Sequence, residues 1–221
     1  MAPRSCLLVG ASGLVGGHLL ALLLADADCA SVNSLGRRAL GVEAPKLTEV
    51  VTDFEDPAAL AAHARVDEVY CALGTTIKKA GSEAAFRKVD FDYPLAVARA
   101  AVAAGAHRYS IVTAVGADAK SSIFYNRVKG ELEDALRELP FPGGVFAFRP
   151  SMLLGDRSES RPAERVGKAV MSATRGLFAF GLKRYRAIDA TDVARAMWAA
   201  RAEPDGSRVY EGAPLFALAR R

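Results

Sequence analysis

Short apolar runs alternate with stretches whose apolar positions recur every three or four residues, almost from one end of the chain to the other. A continuous apolar run bounded by turn residues fits a strand buried on both faces, and the helical period between such runs supplies the covering layers. "SCLLVG", "SVNSLG", "LTEVVTDF", "DEVYCALG", "HRYSIVTAVG" and "GGVFAFRP" predict six strands. "LVGGHLLALLLADA", "YPLAVARAAVAAG", "SSIFYNRVKGELEDAL" and "TDVARAMWAARA" predict helices. That alternation is the pattern of an α/β protein with a doubly wound parallel sheet, the Rossmann fold, helices lying on both faces. After Pro150 the pattern loosens, but no Gly-, Ser- or Pro-rich linker and no internal repeat interrupts it. Residues 1–221 are therefore expected to form one domain, with residues 150–190 as a substrate-side elaboration of the same sheet.

Composition agrees with a globular chain: 221 residues, 51% hydrophobic and 24% charged, are enough to bury a full core. The stretch after Arg4 superficially resembles a secretory signal, but four glycines and His18 break it. Its longest unbroken apolar piece, "LLALLLA", is too short to span a bilayer, so no membrane association is expected. Cys6, Cys29 and Cys71 form no CxxC pair and no cluster with His18, His63 or His107, which excludes a patterned metal site and suits buried thiols in a reducing, cytoplasmic compartment.

The net charge of +4 is uneven, because residues 149–221 carry 14 Lys and Arg against 8 Asp and Glu. This excess lacks aromatic interleaving and a basic arm, so nucleic acid is not an expected partner. A solvated face explains it, and so does an anion-attracting mouth for a small-molecule substrate. Arg157, Arg161, Arg165 and Lys168 would serve the second reading, although Asp156, Glu159 and Glu164 interleave with them.

The chemistry begins at the first strand-to-helix junction. "LLVGASGLVGGHLL" spaces Gly10, Gly13 and Gly16 as GxxGxxG. The first glycine allows the tight turn, the second a close approach to pyrophosphate and the third close packing of helix on strand. The backbone of Ser12, Leu14 and Val15, at the positive end of the helix dipole, completes the phosphate cradle. A carboxylate at the end of the second strand would select NAD(H), but "SLGRRAL" offers Arg37 and Arg38, which suit the 2′-phosphate of NADP(H). Asp53 and Phe54 follow the third strand, where a carboxylate accepts from the adenine amino group. Leu73, Gly74 and Thr75 follow the fourth, where a small residue lets the chain pass beside the cofactor. Tyr125 and Lys129, four apart, lie on one helical face. With 6 Tyr and 8 Lys in the chain such a pair arises by accident roughly one time in five, so its weight comes from its place after the fifth strand of a nucleotide-binding pattern.

"GASGLVGG", "GRR", "DFED", "LGTTIKKAG", "VDFDYPL", "GADAKSSIFYNRVKGELE" and "FRPSMLLGDRSESRP" together resemble the Tat-interacting protein family of atypical short-chain dehydrogenases/reductases. The resemblance runs from about residue 6 to the helix near residue 200. It implies an NADP(H)-binding Rossmann protein in which Tyr125 is the general acid/base and Lys129 holds the nicotinamide ribose and acidifies the tyrosine. It also implies a carbonyl-polarising hydroxyl just after the fifth strand. Thr113 supplies one and Ala114 cannot. Pro150, followed by the amides of Met152 and Leu153, takes the position that binds the nicotinamide carboxamide, with Ser151 where the superfamily has glycine.

Three functions are compatible with these residues: an NADP(H)-dependent oxidoreductase acting on a small carbonyl or alcohol, a non-catalytic NADP(H)-binding protein that regulates a protein partner, and a nucleotide-sugar epimerase or dehydratase. The last needs a larger substrate domain than the residues after Pro150 offer. Both monomer and homodimer fit the sequence.

Overall fold

The computed structural model describes residues 3–154 and 186–221. Seven parallel strands make the central sheet: β1 (Arg4–Val9), β2 (Cys29–Gly36), β3 (Leu47–Val51), β4 (Glu68–Cys71), β5 (Arg108–Val112), β6 (Val145–Arg149) and β9 (Arg208–Glu211). Their spatial order is β3-β2-β1-β4-β5-β6-β9. The two-residue strands β7 (Leu153–Leu154) and β8 (Ile188–Asp189) pair in parallel beside it. The order reverses between β1 and β4, which creates a crevice at the carboxyl ends of these strands.

Successive residues of a strand point to opposite faces, and both faces of β1 are apolar. Leu7 and Val9 join one core, with residues of α5 (Tyr93–Ala103) and α6 (Phe124–Arg137). Cys6 and Leu8 join the other, with residues of α1 (Leu14–Ala25), α7 (Ala190–Ala199) and α8 (Ala213–Leu218). Every residue of β4 and β5 is buried, Glu68, Arg108 and Ser110 among them, as expected of strands covered on both faces. At roughly 1.5–3 kcal/mol per large apolar side chain, these two layers are the main stabilising contribution. Between β3 and β4 lies α2 (Pro57–His63). Between β4 and α5 the chain forms α3 (Ile77–Ala80), α4 (Glu83–Arg87) and a π-helical turn over Lys88–Asp92.

Three departures from the sequence expectation matter for the site. Strand β3 stops at Val51, and the chain turns at Phe54, a bulky residue held at φ 69° by burial and by its ring against Tyr93, 5.4 Å between centroids. Helix α6 starts at Phe124, because Ser121 Oγ accepts from the Ile123 N–H and organises the preceding turn. Strand β9, a seventh, docks beside β6 with Tyr210 stacked on Phe148 at 5.1 Å. Residues 155–185 of the expected substrate-side elaboration, which include "DRSESRP" and Arg157, Arg161, Arg165 and Lys168, lie outside the described residues.

Candidate functional site

A parallel sheet brings every strand-to-helix loop to one edge, so Gly10, Arg37, Asp53, Gly74, Thr113 and Pro150 gather along the carboxyl edge although they are scattered in sequence. At the crevice Gly10 takes φ +90°, and a Cβ there would meet the Ala72 carbonyl at 2.7 Å. A Cβ on Gly16 would lie 2.1 Å from the Gly10 carbonyl oxygen. The Gly13 N–H donates to that same oxygen at 2.9 Å and closes the turn. Ser12 and Gly13 are exposed, whereas Val15 and Gly16 are buried behind them. Helix α1 begins with no side-chain cap and no acidic residue in its first turn, so its positive end faces the crevice uncompensated. These residues fit a dinucleotide pyrophosphate. Gly16→Ala is expected to displace the loop and weaken NAD(P)H binding by roughly tenfold or more, read by fluorescence titration; unchanged affinity would show that the loop does not carry the phosphates.

Arg37 and Arg38 are exposed at the end of β2, available to a phosphate. Asp53 is exposed too, with Oδ1 accepting from the Glu55 N–H at 2.9 Å. Phe54 differs from its neighbour: its ring is buried in the core, so only backbone is left to face a cofactor. Leu73 and Thr75 are half-buried and Gly74 exposed. Pro150 is buried, Leu153 half-buried and Met152 about half exposed (51%).

Tyr125 is half-buried, its ring 5.4 Å from that of Phe86 on α4. One turn along, Lys129 is almost wholly buried, at 2% exposure. Its Nζ lies 2.8 Å from Asp90 Oδ1, and Asp90 itself is fully buried. The other oxygen, Oδ2, accepts from the Thr75 N–H at 2.9 Å. With Nζ 2.8 Å from Oδ1, the ammonium and the carboxylate form a close, buried ion pair. Burial pushes the Lys129 ammonium down, but the charge of Asp90 outweighs it and holds the lysine above its ordinary value. It is therefore an ammonium at neutral pH. The π-turn makes this possible by carrying Asp90 into the protein under the β4 loop.

Thr113 is buried, and its hydroxyl donates to Glu133 Oε1 at 2.6 Å. Glu133, one turn beyond Lys129, also accepts from Arg149 Nε at 2.9 Å and Nη2 at 2.7 Å. Arg149 reaches on to Glu211 at 3.4 Å, and Arg137 approaches Glu133 at 3.3 Å. The network ties α6 to the ends of β5, β6 and β9, and so fixes the rotation of the helix that presents Tyr125 and Lys129. Ala114 is buried and has no hydroxyl to substitute.

Asp90 and Glu133 are the two site residues that motif spacing missed. Glu133 has a signal in retrospect, since Tyr125, Lys129 and Glu133 share one stripe at intervals of four. Asp90 has none beyond being an acid in the otherwise apolar-leaning run "VDFDYPL".

A family model described as NAD(P)H-binding matches residues 10–139, from the glycine loop to just past α6. Protein HTATIP2 of Rattus norvegicus is 37% identical over 201 residues, spanning 89% of this chain and 81% of that protein. Protein fmp52, mitochondrial, of Emericella nidulans is 38% identical over 168 residues, 73% of this chain and 72% of that protein. Among solved structures, the Bordetella bronchiseptica enzyme WbmH in complex with NAD+ superposes with a TM-score of 0.71 over 94% of this chain and 75% of that one, at 17% identity, a likeness of fold.

Proposed function

This chain belongs to the NAD(P)H-binding family, in the Tat-interacting branch of the atypical short-chain dehydrogenases/reductases, and from that premise we propose that it is an NADP(H)-dependent oxidoreductase interconverting a carbonyl and an alcohol on a small molecule. The observation that carries the reading is Tyr125, half-buried one turn above a buried, charged Lys129 on a helix that follows β5.

When bound, the nicotinamide supplies a hydride for reduction or accepts one for oxidation. Tyr125 gives a proton to the carbonyl oxygen in the first direction and takes it from the hydroxyl in the second, a contribution of typically 10²- to 10⁴-fold. Lys129 donates to the ribose hydroxyls and is held in place by Asp90. The Phe86 ring packs against Tyr125, restricts its swing and shields one side from water. Arg37 and Arg38 pair with the 2′-phosphate.

The second reading is an NADP(H)-binding protein without turnover, whose occupancy governs association with a protein partner. The Thr113 hydroxyl bound to Glu133, with alanine at 114, favours it, because the carbonyl then lacks that activating donor. The three buried free thiols suit a reducing compartment and support a cytoplasmic location.

The cofactor assignment is tested by titrating NADPH and NADH against tryptophan or cofactor fluorescence. NADPH is expected to bind about tenfold tighter or more, and Arg37→Ala with Arg38→Ala to remove most of that difference without changing NADH affinity. Equal affinity of the starting protein for both would sink the 2′-phosphate assignment.

A further inference from the structure

We propose that Asp90 is the counter-charge that sets how the site divides its affinity between the oxidised and the reduced cofactor. The inference rests on the NADP(H)-binding reading and deepens it. The two cofactor forms differ at the nicotinamide by one unit of positive charge, so any buried net charge nearby discriminates between them. A lysine buried beneath the site, standing alone, would repel the oxidised ring and skew binding toward NADPH. Asp90 removes that bias by making the buried pair neutral.

Geometry puts the carboxylate close enough to matter. Gly74 is exposed on the carboxyl edge, and a Cβ on it would lie 3.6 Å from Asp90 Oδ1. Asp90 is therefore one residue beneath the groove surface, fully buried, and held from above by the Thr75 N–H. Its Oδ1 lies 2.8 Å from Lys129 Nζ, so the carboxylate and the ammonium are in direct contact. The titratable groups facing Lys129 are Asp90 from the π-turn, Cys71 from β4 and Tyr125 from its own helix. The nearby cations are engaged elsewhere, Arg87 with Glu131 and Lys88 with Glu55. Glu133, one turn beyond Lys129 on α6, is bound to Arg149. Asp90 is thus the charge that balances Lys129, and it acts as a positioning residue, through Lys129 and through the local field.

The test is the ratio of dissociation constants for NADP+ and NADPH, measured by calorimetry on the full chain, which needs no turnover. Asp90→Asn, which keeps an acceptor for the Thr75 N–H, leaves a net positive charge and is expected to raise the ratio about tenfold or more. Lys129→Met leaves a net negative charge and is expected to lower it by a similar factor. The double variant D90N/K129M restores neutrality, and its ratio is expected within about threefold of the starting protein. Opposite signs in the two single variants support the proposal, because a merely structural defect would weaken both forms alike. A ratio that does not move in D90N, or moves the same way in both, overturns it. Should D90N not fold, K129M decides alone: a lowered ratio supports the proposal, and an unchanged or raised one overturns it. Binding of neither form by the starting protein overturns the cofactor reading and this inference together, whereas binding of both with an unmoved ratio overturns this inference only.

Discussion

Replacing Tyr125 with phenylalanine is expected to cut NADPH-dependent turnover of a responsive aldehyde or ketone by about 10²- to 10⁴-fold, while leaving the NADPH dissociation constant within about twofold. The substitution removes one hydroxyl and keeps the ring, so the packing against Phe86 survives and the helix that carries Lys129 is undisturbed. What disappears is the group that exchanges a proton with the substrate oxygen. The effect therefore falls on kcat, since the hydroxyl matters most as charge develops on that oxygen. A variant that retains turnover to within about tenfold would remove Tyr125 from the chemistry. Absence of turnover by the unmutated protein across a broad carbonyl panel, with NADPH still bound, would favour the regulatory reading.

The largest loss of stability is expected at Glu133. Its carboxylate is buried to 1% exposure and takes four hydrogen bonds, from the Thr113 hydroxyl, from two nitrogens of Arg149 and, at 3.3 Å, from Arg137 Nη2. Those bonds hold the Arg149 guanidinium above its ordinary range. Alanine at 133 would leave that guanidinium with only the longer contact to Glu211, and an uncompensated charge where water has limited access. Breaking a buried pair costs about 3–5 kcal/mol. Because Arg149 keeps 19% exposure and Arg137 43%, the lower end applies, about 3 kcal/mol. For a chain of this size that corresponds to a fall in Tm of roughly 6–12 °C, measured by thermal denaturation. Glutamine, which keeps an acceptor and the volume, is expected to lose about half as much. A loss below about 1 kcal/mol for alanine would mean that desolvation cancels the network's attraction.

The legible part of this protein was the part written in local pattern. β1, β2, β4, β5 and β6 appear as apolar runs because both faces of the sheet are covered, and periodicity reports burial directly. The glycine loop was legible because it must occur where the first strand meets the first helix. β9 was not, since four residues, "RVYE", carry too little pattern, and it is the contact of Tyr210 with Phe146 and Phe148 that makes them a strand. Phe54 escaped for a similar reason: nothing in "VTDF" announces a turn with positive φ at an aromatic residue, which only packing against Tyr93 holds in place.

The sequence by itself determined the first six strands and four of the helices, the phosphate loop at the first turn, and the placing of Tyr125 and Lys129 on one helical face, because each depends on residues near one another along the chain. Only the tertiary structure decided that the Thr113 hydroxyl serves Glu133 and that Asp90 comes to rest against Lys129. Those partners are far apart in sequence, and what brings them together is the burial of charge: a carboxylate or ammonium removed from water must find its opposite wherever the fold provides one.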